Sequence, residues 1–199
     1  MTDITIDDVR RALEQPAPPS SDFDLNPDVT LPEGRKLRDA AVLMLLKDGA
    51  RGPEVVLTKR SAQLKHHPGQ IAFPGGKKEA EDASLWDCAV REAMEEIGAN
   101  PAGIEPIGTL PTHETVTSFL VSPQVGLLAK PQEFHASDGE VAEVFTVPLA
   151  HVMDPANFLV EGRFWQGAVR YYYTVPWGPY YIWGATARML RGLAERVQG

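Results

Sequence analysis

The chemistry most legible in this chain lies in Arg91, Glu92, Glu95 and Glu96, which follow a Phe-Pro-Gly-Gly turn at residues 73–76. On a helix, glutamates at offsets of zero, three and four residues share one face, where like charges repel by roughly 0.2–0.5 kcal/mol per pair. A divalent cation would turn that repulsion into attraction. Oxygen donors without cysteine or histidine suit Mg²⁺ or Mn²⁺ rather than zinc. Mg²⁺ held by carboxylates usually meets substrate phosphates, so the reaction class that follows is metal-assisted attack of water on a phosphoanhydride. For three glutamates alone, a solvated helix face is the commoner explanation.

The elements that must hold these side chains are written around them. Ser84 is a good N-cap, and Trp86, Val90, Ala93 and Ile97 fall at helical spacing as a buried stripe, leaving the glutamates on another face, toward a cleft. Gly98 can take the left-handed conformation that ends a helix, and Gly75 and Gly76 let backbone approach the helix and metal closely. Upstream, residues 39–47 are a near-continuous apolar run of strand length, residues 48–53 a turn, and residues 54–59 a second strand of a hairpin. Residues 71–73, 104–110, 119–128, 141–147 and 171–175 read as further strands, and residues 186–197 as a closing amphipathic helix. Strands interleaved with two substantial helices predict an α/β (α+β) fold, a mixed sheet between helices. Residues 6–13 predict a short amphipathic helix, and residues 15–32, rich in Pro, Ser and Asp, a linker or surface arm. The expected organisation is therefore an N-terminal arm over residues 1–34 and one domain over residues 35–199.

The composition bounds the function. A chain of 199 residues with 43% hydrophobic and 23% charged residues is ordinary for a globular domain. A formal net charge of −8 argues against general affinity for nucleic acid or an anionic membrane surface. Cys88 is the sole cysteine, so no intrachain disulfide can form, and its place in the glutamate-bearing helix suits packing rather than reactivity. The first residues are charged and lack an apolar signal core, and no apolar run is long enough to span a bilayer, so a cytoplasmic location is expected.

Just before the Phe-Pro-Gly-Gly turn, residues 57–72 gather Lys59, Arg60, Lys65, His66 and His67. Flexible cations beside a metal site can neutralise further phosphate oxygens, and they can equally balance an acidic surface; the charges alone leave both readings open.

Two motifs settle the direction. Gly76, Asp82 and Arg91-Glu92-Ala93-Met94-Glu95-Glu96-Ile97-Gly98 resemble the Nudix hydrolase signature G-x5-E-x7-R-E-U-x-E-E-x-G-U, where U is a bulky aliphatic residue. Asp82 stands in place of a glutamate, one extra residue precedes Arg91, and Ala93 and Ala99 are small for aliphatic positions. The preceding block resembles the accessory motif of the coenzyme A diphosphatase branch, L-L-T-x-R-[SA]-x3-R-x3-G-x3-F-P-G-G, through Leu57, Thr58, Arg60, Ser61, Gly69, Phe73, Pro74, Gly75 and Gly76. Val56 replaces its first leucine, and Lys65 replaces its second arginine, keeping the charge without the planar fork. The resemblance implies a Nudix-type α/β/α sandwich and a small-molecule substrate, coenzyme A or a derivative, cut to 3′,5′-ADP and 4′-phosphopantetheine or its acyl form. A Nudix enzyme of other specificity, such as ADP-ribose or a nucleoside triphosphate, and a non-catalytic nucleotide sensor are the competing readings.

The resemblance also distributes roles. Glu92, Glu95, Glu96 and Glu140 are the expected metal ligands, with Glu143 second to Glu140; the rival for either late carboxylate is a solvated strand charge. Glu92, Glu95 and Arg91 are the expected catalytic residues, Arg91 orienting a glutamate rather than touching substrate. Arg60, Lys59, Lys65, Gly75 and Gly76 are the expected substrate contacts. His113 and Glu114 are expected on a loop after a strand, in a surface role, with reach into the cleft as the alternative. The aromatic group Trp165, Tyr171, Tyr172, Tyr173, Trp177, Tyr180, Tyr181 and Trp183 is read as core and interface packing, which could serve a homodimer, with an adenine platform as its alternative.

Overall fold

The computed structural model describes residues 4–31, 34–64, 67–165 and 167–199, with backbone alone at Trp165. The chain runs α1 (Ile6–Glu14), β1 (Ser20–Ser21), β2 (Arg38–Gly49), β3 (Gly52–Arg60), β4 (Ile71–Ala72), β5 (Gly75–Lys77), α2 (Leu85–Ile97), β6 (Ile104–Thr109), β7 (His113–Glu114), β8 (Phe119–Leu128), β9 (Val141–Pro148), α3 (Leu149–Val152), β10 (Leu159–Trp165), β11 (Ala168–Thr174) and α4 (Gly184–Gln198).

Among the described residues nine strands form one mixed sheet ordered β1-β7-β8-β2-β3-β4, with β5 beside β2, β6 beside β8 and β9 beside β3. Strands β2 and β8 are parallel, in register from Arg38 opposite Phe119 to Leu46 opposite Leu127; β2 and β3 are an antiparallel hairpin. Strand β2 is apolar throughout because both its faces are covered. Ala40, Met44 and Leu46 enter the larger core with Val9 of α1 and Leu190 and Leu193 of α4, while Ala41, Leu43 and Leu45 enter a second core with Cys88, Ala89, Ala93 and Ile97 of α2. The result is the expected mixed sheet between helical layers.

The N-terminal segment is woven into this body. Thr5 and Asp8 close a capping box on α1, whose Val9 and Ala12 are buried in the larger core, and β1 lies parallel to β7. The residue 48–53 turn is tighter than predicted, because β2 and β3 run on to Gly49 and Gly52. Strand β10 was not predicted: Glu161, Gly162 and Arg163 interrupt any apolar alternation, and it pairs only with β11 in a separate two-stranded sheet. Among the described residues no helix is long and apolar enough to cross a membrane.

Candidate active site

Helix α2 is fixed at both ends. The Ser84 hydroxyl accepts the Asp87 N–H at 3.1 Å, and Gly98 closes the helix in the left-handed region at φ 68°. The loop from Ala129 to Glu140 then caps two of the last carbonyls: His135 N–H donates to Ile97 O at 3.0 Å, and Ser137 N–H to Glu96 O at 2.9 Å. Glu140 is the last residue of that loop, and its own carbonyl accepts the Ser61 N–H at 2.8 Å. One short loop therefore ties the glutamate helix, Glu140 and the start of the basic segment together.

Arg91 is the hub of one half of the site. Its Nε and Nη2 clasp the Asp82 carboxylate at 2.9 and 3.0 Å, its Nη1 donates to Glu92 at 3.0 Å and Glu95 at 3.1 Å, and Nη2 also reaches Lys77 O at 3.3 Å. A guanidinium has five N–H donors, and all are used inside the protein. Those bonds, with the Glu79 N–H on Asp82, hold the Asp82 carboxyl well below the usual carboxylate range. Asp82 thus anchors Arg91 rather than standing among the glutamates.

Glu96 forms the other half. It is buried, 4% exposed, and among the described residues its carboxylate has only the Gly75 N–H at 3.2 Å and the Arg60 guanidinium at 3.9 Å. Burial, with repulsion from Glu92 and Glu140, pushes the Glu96 carboxyl up to about 7 despite those two donors. Burial also pushes Glu92 up, against Arg91, with Glu95 and Glu140 adding to the rise. Gly76 has no room for a side chain, since a Cβ there would overlap the Glu92 carboxylate. At Gly75 the backbone is at φ 157° and a Cβ would meet Ala41 and Val42. The Arg60 Nε is buried without a partner among the described residues.

The remaining predicted residues divide. Lys59 is exposed and sits opposite Glu143 in the β3–β9 register. Lys65 and His66 lie outside the described residues. Glu143 takes the Tyr180 hydroxyl and so is spent on the wall formed by Tyr180 stacked on Phe145. Tyr181 donates to Glu161 at 2.7 Å and Tyr172 meets Trp183 edge-on, which is packing around the β10–β11 hairpin. Contrary to expectation, His113 is no surface-loop residue: it lies fully buried on β7, bonded to Ser20 at 2.9 Å and Asp22 at 3.0 Å, and it clasps the N-terminal segment. Glu114 pairs with Arg35 there. Cys88 packs in the smaller core, where burial and then Asp82 push its thiol up to about 11.

Sequence reasoning missed the loop at residues 129–140 as the device that positions Glu140, because it works through backbone N–H groups. Its one side-chain trace is Asp138-Gly139, a turn signal.

The donor set fits a hard divalent cation in its chemistry. Among the described residues no three Asp, Glu, His or Cys side chains are gathered closely enough to hold an ion as they stand, since Glu92 and Glu95 are turned to Arg91. Buried Glu96, half-buried Glu92 and exposed Glu140 are nevertheless all oxygen donors that repel one another, with the Gly75 N–H and distant Arg60 to offset Glu96 among the described residues.

Comparison with known proteins agrees with this geometry. Residues 36–166 match the model of the NUDIX domain family. The chain is 40% identical over 160 residues to the uncharacterized Nudix hydrolase NudL of Citrobacter koseri, covering 80% of this chain and 83% of the relative. It is 40% identical over 162 residues to the protein of the same name from Cronobacter sakazakii, with the same coverage of 80% and 83%. In fold it is similar to the MutT protein of Methanosarcina mazei, with TM-score 0.52 and 19% identity over 83% of this chain and 95% of the other.

Proposed function

Because the chain belongs to the Nudix hydrolase family, we propose that it is a metal-dependent pyrophosphohydrolase of coenzyme A or its thioesters, releasing 3′,5′-ADP and 4′-phosphopantetheine or its acyl form. The observation that carries this reading is the meeting of the two motifs. Arg60 of the accessory block lies 3.9 Å from Glu96 of the family segment, and Gly75 of the shared turn donates to the same carboxylate at 3.2 Å.

In this reading Glu92, Glu95, Glu96 and Glu140 hold Mg²⁺ or Mn²⁺. The ion, when bound, supplies Lewis-acid polarisation of the pyrophosphate and eases deprotonation of water. Arg91, anchored by Asp82, keeps Glu92 and Glu95 in position and leaves no donor for substrate. A glutamate of this set takes the proton from the attacking water. The Arg60 Nε, unpartnered among the described residues, is free to meet a phosphate oxygen, with Lys59 and Lys65 as outer cations. Gly75 and Gly76 let the turn lie against β2 and the Glu92 carboxylate, where a Cβ would not fit, and so bring the turn's backbone close to the site.

The test is incubation of the purified chain with coenzyme A, ADP-ribose and dGTP in Mg²⁺ or Mn²⁺, with products separated by chromatography. Release of 3′,5′-ADP from coenzyme A in preference to any product from the other two is expected. Turnover of ADP-ribose or dGTP with coenzyme A untouched would keep the family chemistry and overturn the substrate. No turnover of any substrate by folded, metal-bound protein would favour a nucleotide-sensing module.

A further inference from the structure

Strand β10 has β11 on one side and, among the described residues, no backbone partner on the other. The outer edge of β11 is treated differently. There the Asn26 side chain accepts the Tyr171 N–H and donates to the Tyr171 carbonyl, both at 2.8 Å, and so blunts the edge as a neighbouring strand would. Opposed residues of an antiparallel pair turn their backbone groups inward together or outward together. Tyr171 turns outward and faces Gly162, so Gly162 also turns its N–H and C=O outward, as do Val160 and Phe164 at the same phase. The chain closes one edge of this hairpin and leaves a ladder of ready donors and acceptors on the other.

Two further observations fall on the same strand. Arg163 stands directly opposite Arg170, an unfavourable cross-strand pair, and neither guanidinium has a partner among the described residues. Val160, Phe164, Val169 and Tyr171 share one face of the hairpin and are 53%, 72%, 48% and 49% exposed.

We propose that the β10 edge is a self-association surface, on which a second copy of this chain adds its own β10 antiparallel about a two-fold axis through Gly162. That register sets Gly162 opposite the partner's Gly162, Val160 opposite the partner's Phe164, and Glu161 opposite the partner's Arg163. The outward backbone groups of Val160, Gly162 and Phe164 then bond reciprocally across the axis. Arg163 gains, on the side away from Arg170 and twice by symmetry, the partner's Glu161 carboxylate, which keeps lone pairs for it beside the Tyr181 and Thr174 hydroxyls it accepts. Phe164 covers the partner's Val160, so the exposed apolar face becomes continuous across both subunits. Backbone phase excludes an axis on Glu161 or Arg163, and charge favours Gly162 over Val160 or Phe164, since an axis on either of those would leave Arg163 with no carboxylate opposite. Gly162 also suits the axis for steric reasons, since a Cβ there would lie 3.1 Å from the Tyr171 ring, which covers that position.

The experiment is sedimentation velocity on the full chain and three variants. Val160→Pro removes an N–H that has no partner among the described residues, so the monomer fold is kept while two cross-axis bonds, one from each subunit, are lost. Arg163→Glu opposes two carboxylates at each symmetric contact. Arg170→Glu, on the inner strand, is the control for charge alone. The wild type is expected at twice the 21.8 kDa chain mass. Val160→Pro and Arg163→Glu should each weaken the dimer by about tenfold or more, and Arg170→Glu should leave it associated. A wild type that stays monomeric at about 100 μM would overturn the proposal. So would a dimer indifferent to both Val160→Pro and Arg163→Glu, or one broken equally by Arg170→Glu.

Discussion

The two halves of the candidate site share one helix and differ in how their charges are met. Around Arg91, every guanidinium donor is spent on Asp82, Glu92, Glu95 or Lys77 O, and Asp82 is held ionised well below its usual range. Around Glu96, one turn along the helix, a buried carboxylate faces two others with one amide and one distant guanidinium to offset it. The first arrangement stabilises the protein without help. The second costs stability until a cation arrives, which is the usual mark of a part kept for binding. On the proposed function, the uncompensated half takes the cation and the compensated half aims it.

The sharpest way to break this contrast is Glu96→Gln. Metal-dependent hydrolysis should fall on the order of a thousandfold, the contribution of one catalytic group, while the metal-free protein melts several degrees higher at pH 8 because a buried charge has gone. Removing the opposite anchor should do the reverse. Asp82→Ala leaves Arg91 without its clasp and should cost about 2–4 kcal/mol, read as a lower urea midpoint. Arg91→Lys, which keeps the charge and loses the fork, should lower kcat/KM by about 10–100-fold with a smaller loss of stability.

The two halves also predict opposite pH slopes in the metal-free protein. The Glu96 carboxyl rises from 4.5 to about 7 on folding, so the unfolded chain gives up that proton first. Its stabilising contribution is fully present below pH 4.5 and is lost as pH climbs through 7. The Asp82 carboxyl is lowered from 3.8, so its contribution is present above that value and is lost as pH falls further. Thermal melting in chelator should therefore decline between pH 5 and 7 (a window set by the Glu96 values), and Glu96→Gln should flatten that decline without changing the acid limb. Mg²⁺ should restore the wild type above the upper end of that window, because a ligand of the folded state alone stabilises it. The smallest effect is expected at Gly76→Ala, where the added Cβ displaces the Glu92 carboxylate: a loss of about tenfold in kcat/KM, with little change in melting.

Much of the glutamate half was legible because it is local. Ser84, the apolar stripe and Gly98 specify α2 within one short stretch of sequence, and the spacing of Glu92, Glu95 and Glu96 puts them on one face by helix geometry alone. The mixed sheet was legible because β2 is apolar on both faces. What escaped was long-range or carried by backbone. Ser137 and His135 cap α2 through N–H groups that any residue except proline has. Strand β10 hid because its centre is Glu161-Gly162-Arg163. His113 looked like a loop residue, and only the pairing of β1 with β7 brings Ser20 and Asp22 to it.

The most direct test of the central claim is a Mn²⁺ titration of the wild type, Glu96→Gln and Arg91→Lys, followed by the electron paramagnetic resonance signal of the free ion. The account predicts that wild type depletes the free-ion signal, that Glu96→Gln does so least, and that Arg91→Lys is intermediate. Equal Mn²⁺ binding by Glu96→Gln and the wild type would contradict it, because the buried carboxylate would then be a structural burden and not the seat of the metal.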